Sequence, residues 1–130
     1  MAKLGWDVPT LRTIFTLDHP DFVCDPVVVK MSDSRFWING SIAARDGAAA
    51  GSFTREIVRR EFQWIAEHHS LRVRPEFRRR RIAYSHYRKA LRAYVALGCR
   101  RVEMIAQEYG RSYGRSSGFV SGGARTETTW

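Results

Sequence analysis

The chain has 130 residues and a mass of 15.0 kDa, room for one hydrophobic core and not two. Its 44% hydrophobic and 12% aromatic content excludes a disordered chain, and no apolar run approaches the ~20 residues of a spanning helix. Lys and Arg number 22 against 13 Asp and Glu; the resulting +9 favours an anionic partner, whether nucleic acid, a phosphorylated cofactor or an acidic protein.

The first ten residues, MAKLGWDVPT, contain no apolar signal core, so a soluble, cytoplasmic protein with no membrane role is expected. Asp7-Val8-Pro9 suits a helix start, with Asp as cap and Pro in the first turn, and predicts a helix from about Pro9 to Leu17. Asp18-His19-Pro20-Asp21 breaks it, and Val27-Val28-Val29 is a short β-branched run. Trp37 to Arg45, Asp46-Gly47 and Ala48 to Val58 predict a hairpin turning at Asp-Gly. Gly51 inside the second arm points to a bulge or to another backbone close by. Glu56 to Glu61 is also compatible with a helix, and Phe62 to Val73 is the long third strand, closed by Pro75. From Ala83 a helical period sets in. Ala83, Tyr87, Ala90, Leu91, Tyr94 and Leu97 share one face, and Gly98 sits where a C-cap glycine belongs. Arg101 to Ala106 reads as a buried strand, Tyr109 to Ser117 as a short helix or turn, and Ser121 to Thr129 as a weakly specified tail. Cys24 and Cys99 match no zinc or disulfide spacing and are expected to be buried free thiols; no metal is expected.

The most informative stretch is EHHSLRVRPEFRRRRIA, Glu67 to Ala83. A strand ends at a proline, four arginines follow (Arg78, Arg79, Arg80 and Arg81), and a helix opens near Ile82. First-turn N–H groups have no intrahelical partner and carry the positive end of the helix dipole, so this geometry binds anions. Arginine adds bidentate phosphate donors. The ligand expected is a phosphate.

In order, these pieces resemble the GNAT superfamily of acyl-CoA-dependent N-acyltransferases. The matching segments are IAARDGAAAG, LRVRPEFRRRRIA, ALRAYVALGCRRVEMIA and SYGRSSGF, which together run from about Ala43 to Val120. The resemblance implies an α/β fold: a mixed, mainly antiparallel sheet flanked by helices in a single domain covering residues 1–130. It also implies acetyl-CoA or another acyl-CoA as cofactor. The backbone of Leu71, Arg72 and Val73 would hold its pantetheine arm, and Arg78 to Arg81 with Ile82 and Ala83 its pyrophosphate. An amine would then attack the thioester directly, which calls for a base, an acid and an oxyanion donor. Glu67 stands eleven positions before Arg78, the spacing of the glutamate base in histone-type members, and His69 is a second base two residues on. Tyr113 is the acid, one residue earlier than the family register, with Tyr109 as fallback. The chain departs from the family at Arg81, where the pattern has glycine so that backbone can touch phosphate oxygens.

Three functions stay open at this point. The first is an N-acetyltransferase with an amine acceptor of unknown identity. The second is a GNAT-like fold that has lost the cofactor and binds nucleic acid or an acidic protein. The third is an acyltransferase-like enzyme acting on nucleic acid. Self-association as a homodimer is open as well.

Overall fold

The computed structural model describes residues 5–105 and 125–129, the last stretch by its backbone. Asp7 caps the first helix, α1 (Val8–Phe15), by accepting the Thr10 amide at 2.9 Å, with Pro9 in the first turn. Four strands follow: β1 (Phe22–Ser32), β2 (Arg35–Ala44), β3 (Ala49–Arg60) and β4 (Gln63–Val73). A 3-10 turn (Pro75–Phe77) leads to α2 (Ile82–Ala96), then β5 (Arg101–Ile105) and β6 (Arg125–Thr129). The strands lie in that order in one sheet, antiparallel throughout except for the parallel pair β4 and β5. This is the expected α/β architecture with a mixed, mainly antiparallel sheet. Among the described residues no helix is long and apolar enough to cross a membrane.

The β2–β3 hairpin turns at Asp46-Gly47 as expected, with Gly47 at φ +96°. Both readings of Gly51 hold. The register shifts beside it, and a Cβ there would stand 2.2 Å from the Arg72 carbonyl oxygen on β4. The helical alternative for Glu56 to Glu61 is overturned, since β3 runs to Arg60 and pairs with β4 along its length. As an inner strand it buries Arg55, Glu56, Ile57 and Val58 in succession, so both faces are covered and no period of two shows. The chain then reverses in two residues, Glu61 and Phe62, at φ 51° and 65°.

The helices share one face of the sheet. Phe15 of α1 packs on Phe53, His86 and Tyr94, and Tyr94 of α2 is fully buried against β4. The face expected for α2 needs correction. Its buried residues are Ile82, His86, Ala90 and Tyr94, while Leu91 is exposed and Ala83, Tyr87 and Leu97 are half-buried. The stripe is one residue out of step because His86, polar in sequence, is taken inside by a buried partner. Gly98 ends the helix at φ +80°; its amide bonds Val95 and that of Cys99 bonds Tyr94, a Schellman closure. Cys24 and Cys99 are buried free thiols, and burial, reinforced by Asp25, raises Cys24 to about 11. Within the tail, Arg125–Thr129 forms a strand that pairs antiparallel with β5, which its composition did not suggest.

Candidate active site

Among the described residues, β4 pairs with β5 from Ile65–Arg101 to His68–Met104, while β4 continues to Val73. Leu71, Arg72 and Val73 therefore lie past the described end of β5 at Ile105. One expected contact is already shared within the chain, since Arg78 Nε donates to the Val73 carbonyl at 3.1 Å.

Beyond Phe77 comes the arginine turn. Arg79 and Arg81 both take φ 63°, with Arg80 between them outside the positive region. Backbone that alternates in this way gathers successive N–H groups into an anion-binding concavity. Among the described residues, no backbone carbonyl accepts the amides of Arg79 to Ala83. Arg81 occupies the N-cap of α2 without a side-chain cap, and its guanidinium lies 5.9 Å from the exposed Tyr84 ring. The departure from glycine at this position thus has two parts. The residue adopts a left-handed backbone suited to glycine, and its side chain leans along the helix. The turn is held by His19, whose Nε2 donates to the Arg80 carbonyl at 2.6 Å and whose ring meets Phe22 edge-on. His19 carries no signal in the sequence, because its partner lies across the fold.

On the sheet face away from the helices, Glu56, Glu67 and Glu103 stand side by side on β3, β4 and β5. All three are buried, at 6%, 2% and 2% exposure. Arginines hold them: Arg35 pairs with Glu56, Arg60 with Glu67 at 2.7 Å and with Glu103 at 3.6 Å, and Arg101 with Glu103 at 3.2 Å. His69 joins this group, its Nε2 being 3.2 Å from Glu56 and 4.0 Å from Glu67. The fold therefore brings Glu67 and His69 together, the first buried and the second half-buried. The cation beside Glu67 is Arg60. Glu56, Arg60 and Glu103 were missed; only the strand register makes them neighbours. Tyr109, Tyr113 and the Gly118-Phe119 pair lie outside the described residues.

On the helix face Arg55 is 1% exposed. Its Nη1 donates to the Thr54 and Ser70 carbonyls and its Nε to His86 at 3.2 Å, while its guanidinium lies 5.6 Å from the rings of Phe53 and Tyr87. Burial lowers the Arg55 pKa, opposed by Tyr87 and Tyr94. Burial first and Arg55 second bring His86 down to about 3 and hold His68 well below the ordinary histidine value. His68 Nε2 meets the Tyr94 hydroxyl at 2.9 Å.

The strand, the arginine turn and the helix after it fall inside the span of a family match. The profile of the acetyltransferase (GNAT) family covers residues 8–115. The chain belongs to the GNAT acetyltransferase family. Among solved structures, this GNAT chain is similar to an acetyltransferase of Trypanosoma brucei (13% identity, 72% of this chain and 69% of that one, TM-score 0.49). It is also similar to an aminoglycoside acetyltransferase from an uncultured soil metagenomic sample, solved with sisomicin (13% identity, 77% and 67%, TM-score 0.47). No curated protein matches it in sequence.

Proposed function

We propose that this chain is an N-acetyltransferase that moves an acetyl group from acetyl-CoA to an amine acceptor. The observation that carries the reading is the left-handed arginine turn between β4 and α2, where among the described residues no backbone carbonyl accepts the amides of Arg79 to Ala83. The residues fit the cofactor: amides from Arg79 to Ala83 and the end of α2 hold its pyrophosphate, and the backbone of Leu71 to Val73 its pantetheine arm. Arg81, leaning over Tyr84, leaves those amides usable. When bound, acetyl-CoA supplies an acyl thioester that an amine takes over directly, the sulfur leaving as a thiol. Glu67 or His69 accepts the ammonium proton, and Tyr113 serves as acid toward the leaving sulfur. A cytoplasmic location goes with this reading.

Calorimetric titration with acetyl-CoA tests it most directly, followed by thiol release in the presence of a short lysine peptide, spermidine or a free amino acid. No binding at millimolar acetyl-CoA sinks the proposal.

One observation favours a second reading. Arg81 and Arg88 both stack on the exposed ring of Tyr84, 5.9 and 5.8 Å from its centroid, beside exposed Arg79, Arg80 and Arg92. A basic surface with an aromatic platform suits a nucleic acid, bound either by a cofactor-free module or as the acceptor of the enzyme. Such binding weakens steeply with salt; binding that is absent or indifferent to salt rules it out.

A further inference from the structure

We propose that the base is His69 acting through Nδ1, that Glu56 is the residue that positions it, and that Glu67 is a fixed charge and not the base. This rests on the acyltransferase reading of the site. Between β3 and β4 the register slips, with Thr54 opposite Ser70 and Arg55 opposite His68, so His69 is the extra residue of a bulge. Bulges re-aim a side chain, and this one keeps His69 on the same sheet face as Glu67. Arg55 fastens it from the opposite face, since its Nη1 donates to a carbonyl on each strand beside the slip, Thr54 on β3 and Ser70 on β4.

On the open side Glu56 fixes the imidazole. Glu56 Oε1 stands 3.2 Å from His69 Nε2, and its other oxygen is taken by Arg35. An ionised carboxylate only accepts, so Nε2 carries the hydrogen and the lone pair is left on Nδ1. Among the described residues Nδ1 has no hydrogen-bond partner, and the Trp37 ring 5.3 Å away flanks the imidazole. The His69 side chain is 20% exposed, enough for an acceptor to reach it, against 2% for Glu67. Glu67 is moreover committed to Arg60 at 2.7 Å, and a carboxylate bonded to a guanidinium is a poor proton acceptor. The charged groups facing His69 are Glu56 and Arg60 from β3, Glu67 from its own strand and Arg35 from β2. Glu103 on β5 stands behind Arg60, with Arg55 and His68 on the far face. In the step itself one N–H bond of the acceptor ammonium breaks, its electron pair stays on the nitrogen as the attacking lone pair, and the proton passes to Nδ1 and then to solvent.

Nitrogen-15 histidine NMR of the full chain reads the tautomer without any acceptor. His69 is expected in the Nε2–H form. Glu56→Gln is expected to give mixed tautomers, because an amide can donate as well as accept. In thiol release from acetyl-CoA with the lysine peptide, Glu56→Gln and His69→Gln each lower kcat by roughly 10²-fold or more, with acetyl-CoA affinity unchanged. The double variant falls no further than the worse single one, because the two act as a unit. Glu56→Asp recovers part of the loss. The proposal is overturned if His69 is found as the Nδ1–H tautomer, or if Glu67→Gln carries the loss while the other two stay within a few-fold of wild type. Absence of acetyl-CoA binding overturns the acyltransferase reading and the base role with it, whatever the tautomer.

Discussion

Arg60 Nη2 stands 2.7 Å from Glu67 Oε2, and the other nitrogen of the same fork reaches Glu103 at 3.6 Å. One guanidinium on β3 thus supplies the countercharge for two buried carboxylates on neighbouring strands. Replacing it takes a countercharge from each, although Glu103 keeps Arg101 at 3.2 Å. Arg60→Met should destabilise the protein by about 1–3 kcal/mol, less than for a fully buried pair because the Arg60 side chain is 42% exposed. Urea unfolding monitored by tryptophan fluorescence checks this, and a midpoint equal to wild type would show that water or another cation replaces Arg60.

His68 and His86 predict an acid-sensitive core. Their folded pKa values lie below the ordinary histidine value, His86 at about 3. The unfolded chain therefore binds more protons below pH ~6.5. The stability they contribute is complete above that pH and is lost as pH falls toward the folded values, at up to about 1.4 kcal/mol per unit for each residue. His86→Gln, which keeps an acceptor for Arg55 but cannot titrate, should flatten the slope between pH 6.5 and 4.5. An unchanged slope would remove His86 as a cause.

Arg81→Gly should raise stability by roughly 0.5–1 kcal/mol, since a left-handed residue with a Cβ is strained and glycine is not. Acetyl-CoA affinity should hold or improve. A large loss of affinity would mean that the guanidinium leaves Tyr84 to become a phosphate ligand.

The β3–β4 turn offers a gain remote from the site. Glu61 and Phe62 both have positive φ, the conformation of a two-residue hairpin turn that Asn-Gly adopts readily, and Phe62 is 89% exposed. The double change Glu61→Asn and Phe62→Gly should stabilise by about 1 kcal/mol and raise Tm by a few degrees without altering acetyl-CoA binding. A lower Tm would show that Phe62, 5.7 Å from the Arg59 guanidinium, contributes more through that stacking than its backbone costs.

What the sequence made legible was local chemistry. Asp46-Gly47, Gly98 and Pro75 each dictate a backbone conformation by themselves, so the hairpin, the end of α2 and the end of β4 could be read from neighbours alone. The arginine turn was legible as four cations between a proline and a helix start, although arginine does not dictate the left-handed backbone found there. The carboxylate–arginine group was not, because Glu56, Glu67 and Glu103 meet only through strand register, and the slip that frees His69 leaves no local mark. Neither was Arg55. A lone arginine in TREIVRREF looks solvent-facing, yet its partners Ser70 and His86 lie on a different strand and on a helix.

The slip at His69 has a consequence for how β4 tolerates change. Up to Glu67 the odd-numbered residues face away from the helices; past the extra residue the parity inverts, so Leu71 and Val73 turn toward the core while Ser70 and Arg72 do not. The strand is two reading frames joined at one hinge residue. Loss of His69 alone would close the slip into regular alternation, Ser70 following His68, and would leave Leu71 opposite Phe53 and Val73 opposite Gly51, still turned toward the core.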